Sequence, residues 1–166
     1  MVTRDELRRM VIMGRMSDAQ LDRIIPLIEK RHYEERQYVV REGDNAENFF
    51  LLQRGKVLLE QRLSETITVC MDAIKPGYSF GWSAMLSRDL EPYHSYTSDA
   101  ICVEPSDVCI INGEKFLELL EVDHTMGYLV YQRLNRVIKQ RLVHRTEQFL
   151  RIIRQHPDMT RLMSPC

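Results

Sequence analysis

The residues best suited to bind a ligand lie between positions 76 and 100, where a Pro-Gly turn leads into two aromatic residues and a second glycine. This second glycine, Gly81, lets the backbone bend and lets a ligand approach the main-chain amide closely. The run Ser83–Leu86 is typical of one helical turn, whose first N–H groups point outward and suit an anion. After a polar loop, Tyr96-Thr97 resumes an extended pattern. We therefore predict a strand, a cradle the size of a phosphate group, and a second strand.

Five residues of this stretch match a known motif, namely Phe80, Gly81, Ala84, Met85 and Leu86. Their run resembles the phosphate-binding cassette of the cyclic nucleotide-binding domain, in which Phe-Gly-Glu-(Leu)-Ala-Leu-Leu precedes a loop that ends in Arg-Ala. This domain is the sensor module of the catabolite activator family and of protein kinase A regulatory subunits. The resemblance covers about residues 5 to 150. It implies a β-roll that binds a cyclic nucleotide.

Two positions depart from the family's motif. Trp82 stands where the resemblance places a ribose-binding Glu, and His94 or Ser95 stands where it places a phosphate-binding Arg. Because an indole nitrogen only donates hydrogen bonds, we expect Trp82 either to fill the ribose space or to stack on a flat ligand. We expect His94 to be either a surface residue or a weaker phosphate partner, charged only below about pH 6.5.

Arg88 lies in the same loop and is a second candidate for the phosphate partner. Its neighbours Asp89 and Glu91 add negative charge, so a solvated loop residue is the alternative interpretation. On the C-terminal helix, Asn135 is either a base reader or part of the solvent-facing side. The full set of expected ligand-binding residues is Phe80, Gly81, Trp82, Ser83, Ala84, Met85, Arg88, His94, Ser95, Tyr96, Thr97 and Asn135.

The composition is that of an ordinary globular protein, with 166 residues, of which 44% are hydrophobic and 28% charged. A net charge of −1 gives no electrostatic footprint for nucleic acid. No uncharged apolar stretch follows the charged N-terminus, and no run approaches the length that spans a bilayer. We therefore expect a cytoplasmic protein without a membrane segment.

The four cysteines form no Cys-x-x-Cys pair, which argues against a metal site or a disulfide framework. Three of them, Cys70, Cys102 and Cys109, lie in apolar runs and are expected to be small buried hydrophobic residues. The five histidines are scattered, and the common hydrolase, metalloprotease and phosphate-loop motifs are missing. We expect that the protein is not an enzyme and that it binds no metal ion. The only candidate ligand of cofactor type is a cyclic nucleotide, cAMP or cGMP.

Two capping boxes, Thr3–Glu6 and Ser17–Gln20, predict two short N-terminal helices. Apolar residues from Leu21 to Ile28 continue the second helix at the spacing of one helical face. Pro26 conflicts with a regular helix because it lacks an N–H group, so we expect a kink or a frayed end there.

From about Tyr33 the hydrophobic period changes to that of short strands. The expected strands centre on Tyr38–Val40, Phe49–Leu52, Val57–Leu59, Ile67–Met71, Ile101–Val103 and Val108–Ile110. Turn signals separate them, and Gly55 is expected at a hairpin that needs positive φ. The pattern predicts an all-β sandwich, roll or barrel. With the resemblance, we expect a mainly β protein with flanking α-helices, built on a jelly-roll-like β-roll (double-stranded β-helix).

After Ile111 the helical period returns, with Asn112 expected to cap a short helix and Asp123 a long one from about His124 to His156. Roughly 32 residues make a helix of about 48 Å, longer than a roll of this size covers. Its broad apolar stripe can face the roll on one side and a second chain on the other. The resemblance implies a homodimer through this helix, while a fold-back of the tail is the alternative cover for its end.

We expect one domain, with a helical lead-in and roll at 1–122 and the long helix at 123–156. A tail at 157–166 is too short for a helix-turn-helix, so we expect no direct DNA binding. The first functional hypothesis is a cytoplasmic regulatory sensor that binds a small anionic ligand at a divergent cassette and signals through the dimer helix. The second is a degenerate domain that serves as a dimerisation or protein-interaction module.

Overall fold

Two short helices open the chain in the computed structural model, which describes residues 2–86 and 94–155. Helix α1 (Arg4–Arg8) begins at the Thr3 capping box, and α2 (Asp18–Ile24) begins at the Ser17 capping box. In each box the N-cap hydroxyl accepts a hydrogen bond from a backbone N–H three residues on, and that residue's side chain accepts one from the N-cap N–H. Both predicted helices are present, but the second ends at Ile24, so the expectation that it continues to Ile28 is wrong.

The chain changes from helix to strand at Pro26, where a 3-10 turn (Ile25–Leu27) ends α2. The predicted break is confirmed. Strand β1 (Ile28–Tyr33) follows directly, so the expectation that extended structure starts near Tyr33 is wrong at this strand. Four of its six residues are exposed, so the strand lacks the apolar alternation that marks a strand in a sequence. This segment is a strand because it pairs with another strand some eighty residues further along the chain, close to the end of the roll.

Within residues 2–86 and 94–155, eight strands form two four-stranded antiparallel sheets, which confirms the predicted β-roll. The remaining strands are β2 (Tyr38–Val40), β3 (Asn48–Arg54), β4 (Val57–Arg62), β5 (Thr68–Ile74), β6 (Ser79–Phe80), β7 (Asp99–Cys102) and β8 (Ser106–Asn112). One sheet has the order β1-β8-β3-β6 and the other the order β2-β7-β4-β5. Gly55 joins β3 to β4 with a φ of 92°, as the hairpin prediction required.

Strand β3 divides the apolar residues into two clusters, because successive side chains of a strand point to opposite faces. Phe50 and Leu52 belong to the roll cluster, which fills the space between the two sheets together with residues such as Val57, Phe80 and Tyr96. The outer cluster lies on the other face of the same sheet and is covered by α1 and α2. It contains Leu7, Leu21, Phe49, Leu51, Met85 and Phe116 among others.

The exposure of each cysteine depends on its position in the sheets. Cys102 and Cys109 are buried, as predicted, and burial raises the pKa of the Cys109 thiol to about 11. Cys70 is exposed, which corrects the expectation that it is a core residue. It lies on β5, the edge strand of its sheet, whose outward side chains meet solvent. All three are free thiols.

In the part of the chain that the structure describes, the roll is followed by α3 (Gly113–Val122) and α4 (His124–Gln155). The Asn112 side chain accepts a hydrogen bond from the Lys115 N–H, and the Asp123 carboxylate accepts one from the Met126 N–H, so both predicted caps are confirmed. By internal contacts the chain forms two units, one ending at Val130 within α4 and one starting at Tyr131. The expected tail at 157–166 lies outside the described residues. Within residues 2–86 and 94–155, no helix combines the length and apolar character needed to cross a membrane.

Candidate functional site

The cassette is a left-handed bend followed by a 3-10 turn. Gly81 has φ 74° and ψ 35°, in the left-handed region that favours glycine, and it is the N-cap of the turn Trp82–Met85. The Ala84 N–H donates to the Gly81 carbonyl at 3.2 Å, and the Leu86 N–H donates to the Ser83 carbonyl at the same distance. The predicted bend and helical turn are therefore present, directly after β6.

Aromatic rings hold the bend from the side of the roll. Phe80 stacks on Phe50, with ring centroids 5.0 Å apart and planes 16° apart, and Tyr96 lies tilted against Phe50 at 6.1 Å. A Cβ atom on Gly81 would lie 2.6 Å from Cδ2 of Phe50, so no larger residue fits without movement. The bend is thus in contact with the core of the roll.

Helix α3 holds the cassette turn from the opposite side. Gly113, its first residue, approaches so closely that a Cβ there would lie 2.1 Å from the Ala84 carbonyl oxygen. Ala84 and Met85 are both buried, and they belong to the outer cluster. The cassette therefore lies between the roll and the helix that follows it.

The Trp82 side chain is half-buried and packs against the outer cluster. Its indole Nε1 donates to the Ser79 hydroxyl at 3.1 Å. The position at which the resemblance places a ribose-binding carboxylate therefore carries a donor that is used within the protein. A carboxylate and an indole differ here in chemistry as well as in size, since only the carboxylate accepts hydrogen bonds from a ribose.

The segment 94–97 is fixed by the turn that precedes β3. The Tyr96 hydroxyl donates to the Asn48 carbonyl at 2.8 Å and accepts from the Asn48 N–H at 3.0 Å. The His94 carbonyl accepts from the Ala46 N–H at 2.8 Å, and Ser95 forms a β-bridge with Asn45. Burial raises the pKa of the Tyr96 phenol. The neighbouring Thr97 is exposed, and its carbonyl accepts from the Gln61 side chain at 2.8 Å.

His94 lines a cleft of about 450 Å³ together with four carboxylates, those of Glu47, Glu114, Glu118 and Glu121. We call this the acidic cleft. Three of the four lie on one face of α3, at the i, i+4, i+7 spacing, and that spacing is the signal in the sequence that could have identified them. Their negative charge opposes a phosphate on this side of His94.

The structure brings seven of the twelve expected site residues near each other in the first unit. Phe80, Gly81 and Tyr96 surround Phe50, and the turn Trp82–Met85 adjoins them. Arg88 lies outside the described residues. Asn135 is exposed on α4 in the second unit. No group of three His, Cys, Asp or Glu side chains able to hold a metal ion occurs in residues 2–86 and 94–155.

Comparison with known proteins gives one family. Human cGMP-dependent protein kinase 2 is 28% identical over 116 residues, which are 68% of this chain and 14% of the kinase. The chain thus spans about one seventh of the length of this relative.

Solved structures agree with this result. A protein of Geobacter metallireducens described as cyclic nucleotide-binding superposes with a TM-score of 0.71 at 28% identity, covering 86% of this chain and 99% of that one. The catabolite activator protein of Thermus thermophilus shares the fold, with a TM-score of 0.66 at 18% identity over 86% of this chain and 62% of that one.

The family match includes the roll, the cassette and α3. The sequence model of the cyclic nucleotide-binding domain matches residues 30–123, which is more than half of the chain. The resemblance noted in the sequence is confirmed, and this chain belongs to the cyclic nucleotide-binding domain family.

Proposed function

We propose that this domain is a regulatory sensor that binds a small anionic ligand at the cassette, with cAMP and cGMP as the first candidates. The observation that carries the proposal is the cassette backbone, in which the left-handed Gly81 is followed at once by the turn Trp82–Met85. Successive main-chain N–H groups in such a bend form a concavity that suits an anion. The identity with a kinase that depends on cGMP supports a cyclic nucleotide as the candidate.

The missing guanidinium sets the expected strength of binding. Neither His94 nor Ser95 offers the paired, permanently charged donors of an arginine. The phosphate contact then rests on main-chain N–H groups, and losing a charge-assisted hydrogen bond weakens binding by about 10- to 100-fold. We therefore expect weak cyclic nucleotide binding by the native chain.

The contact between Gly113 and Ala84 is the proposed route by which ligand binding at the cassette moves the helices that follow the roll. A ligand that shifts the cassette turn must also shift the start of α3, because the two backbones already touch. Helix α3 is joined to α4 through Asp123 alone, so the displacement passes to α4. We propose that α4 forms a homodimer and that occupancy selects between two helix arrangements, which requires the ligand to favour one of them.

The second candidate function is a dimerisation or protein-interaction module that binds no nucleotide. Two observations favour it. The Trp82 indole is committed to the outer cluster, and His94 lies in the acidic cleft. In this alternative the cassette is a structural connection between roll and helix.

Calorimetric titration with cAMP and cGMP, on the parent and on His94→Arg, separates the two candidates. His94→Arg places an arginine at one of the two positions, His94 and Ser95, where the resemblance expects it. His144→Arg, which adds the same charge on α4, is the matched control. The sensor proposal expects weak binding by the parent, tighter binding by His94→Arg and no change with His144→Arg. If the parent binds neither nucleotide while His94→Arg binds one, the result would support the module instead. Silence of both would overturn a role of this cassette in nucleotide binding.

The proposal gives the domain a non-catalytic role in the cytoplasm. Free thiols at Cys70, Cys102 and Cys109 are typical of proteins in a reducing compartment. We propose that the lead-in and roll (1–122) and the long helix (123–156) act together as one domain. Its effect would then be delivered through another domain or another protein, and direct DNA binding by this domain is not part of the proposal.

A further inference from the structure

A second cleft, of about 790 Å³, lies on the side of the sheet β1-β8-β3-β6 that carries α1. Its walls come from α1 and the residues after it, from β1, from the end of β3 and from the Pro76-Gly77 turn. Four cationic side chains line it, Arg9, Lys30, Arg31 and Arg54, together with the carboxylates of Glu6 and Asp107. We call it the basic cleft.

Both carboxylates of the basic cleft are already paired. Glu6 accepts from the Lys30 ammonium at 2.8 Å, and this hydrogen bond is the largest reason why the pKa of Glu6 falls to about 2. Asp107 lies 2.7 Å from Nδ1 of His32. Among the cations, Arg31 donates to Glu29 at 2.7 Å.

The other two cations of the basic cleft are Arg9 and Arg54. Neither makes an ion pair with a carboxylate of the described residues. Two arginines from different parts of the chain thus line one concave surface with no carboxylate of these described residues at ion-pair distance, and the four cations of the cleft outnumber its two carboxylates. A cleft that carries excess charge of one sign concentrates ions of the other sign.

The backbones that carry the two arginines are fixed. Arg54 lies in the β3–β8 ladder opposite Asp107. The Arg9 segment is held against the Pro76-Gly77 turn, since the Val11 N–H donates to the Gly77 carbonyl at 2.8 Å. Gly77 is itself close to this segment, because a Cβ there would lie 3.0 Å from the Arg9 carbonyl oxygen.

We propose that the basic cleft binds a phosphate monoester dianion through the guanidinium groups of Arg9 and Arg54. A guanidinium offers two parallel donors that match the oxygens of a phosphate, and it stays charged at every physiological pH. The volume is in the range of small-molecule sites, so there is room for the group that carries the phosphate. The site is separate from the cassette and does not depend on nucleotide binding there.

The phosphate can belong to a small metabolite or to a phosphorylated side chain of a partner protein. The test is calorimetric titration of the full chain with inorganic phosphate and with a phosphoserine peptide, at constant ionic strength. Binding of phosphate and peptide with equal affinity indicates a small-molecule site. Peptide binding that is tighter by about tenfold or more indicates a protein partner.

Variants assign the binding to the two arginines. We expect Arg9→Gln and Arg54→Gln each to weaken binding of phosphate by about tenfold. Arg31→Gln is the matched control, because it removes the same charge from the same cleft at a residue already paired with Glu29. Thermal unfolding of each variant checks that the fold is kept. The proposal is overturned if neither probe binds, or if Arg31→Gln weakens binding as much as Arg54→Gln does.

Discussion

Gly81 and Phe50 lie in direct contact, at a distance that leaves no space for a side chain on the glycine. A Cβ atom on Gly81 would be 2.6 Å from Cδ2 and 2.9 Å from Cε2 of the Phe50 ring. The same ring stacks on Phe80, the residue before the bend. The bend of the cassette is therefore defined both by the backbone conformation of Gly81 and by the core of the roll.

This contact predicts that Gly81→Ala destabilises the domain for two reasons at once. An alanine in the left-handed region costs about 1 to 3 kcal/mol, and the clash with Phe50 adds about 1 to 3 kcal/mol. Gly43→Ala is the control, since Gly43 has φ 86° but nothing within 4 Å of the added Cβ. Urea unfolding of both variants measures the two free energies. Equal losses would show that the Phe50 contact has no energetic effect.

The Tyr96 hydroxyl predicts a second difference in stability. Tyr96→Phe removes a hydroxyl that bonds both the carbonyl and the N–H of Asn48, so two part-buried backbone groups lose this partner. We expect the free energy of unfolding to fall by about 1 to 3 kcal/mol. Tyr38→Phe is the matched control, because Tyr38 is 41% exposed and its ring contact with Arg41 is retained. The control is expected to change stability by less than about 0.5 kcal/mol. A comparable loss in both variants would contradict the role assigned to the Asn48 hydrogen bonds.

The parts of the fold that the sequence predicted are those with local signals. Capping boxes at Thr3 and Ser17 marked two helices, and the side chains of Asn112 and Asp123 marked the starts of two more. Strand β1 was missed because its outward residues are polar and its pairing partner lies far along the chain. Local pattern cannot supply such a partner.

Prediction of the candidate site from the sequence has the same limit, because only local features can be read from residue types. The bend at Gly81 follows from residue type, since glycine adopts positive φ without strain. The directions of Trp82 and His94 could not be predicted, because they depend on which cluster or helix face lies next to them. Trp82 packs on the outer cluster, which combines residues of several helices, including α1, α2 and α3, with one face of the sheet. His94 meets carboxylates of α3, a helix that begins nearly twenty residues later.

The ion pair between Glu6 and Lys30 predicts a pH dependence of stability. The folded-state pKa of Glu6 is lowered to about 2, chiefly by the hydrogen bond from Lys30. A lowered pKa stabilises the fold above the unfolded value of about 4.3, and this contribution is lost as the pH falls from there towards 2. Both side chains are about one third exposed. Solvent screening therefore limits the contribution to about 1 kcal/mol.

Glu6→Gln isolates this charge, because glutamine still serves the capping box of α1. We expect the parent to lose stability more steeply than the variant between pH 5 and pH 2, as measured by urea unfolding at each pH. Lys30→Gln should reproduce the flatter profile. High salt should reduce the difference between parent and variant. Parallel profiles for the parent and both variants would show that the ion pair makes no measurable contribution.

The exposed apolar side chains of α4 in the second unit lead us to predict a dimer through one face of this helix. Four of the exposed large apolar side chains of this unit are Ile138 at 42%, Leu142 at 64%, Phe149 at 62% and Ile152 at 68%. Their spacings of four, seven and three residues place them on one side of the helix, as at the contact positions of a coiled coil. Burial of each such side chain contributes about 1.5 to 3 kcal/mol, and a symmetric dimer buries two copies of each.

Leu142→Glu is therefore expected to weaken the dimer by at least about tenfold, because it places two carboxylates in the proposed interface. Gln140→Glu adds the same charge on the opposite side of α4 and should leave the dimer unchanged. Sedimentation equilibrium measures association, and fluorescence of Trp82, the single tryptophan of the chain, reports whether the roll stays folded. A parent chain that is monomeric at all concentrations would refute the dimer. Equal weakening by Gln140→Glu would mean that added negative charge, and not loss of the apolar face, causes dissociation.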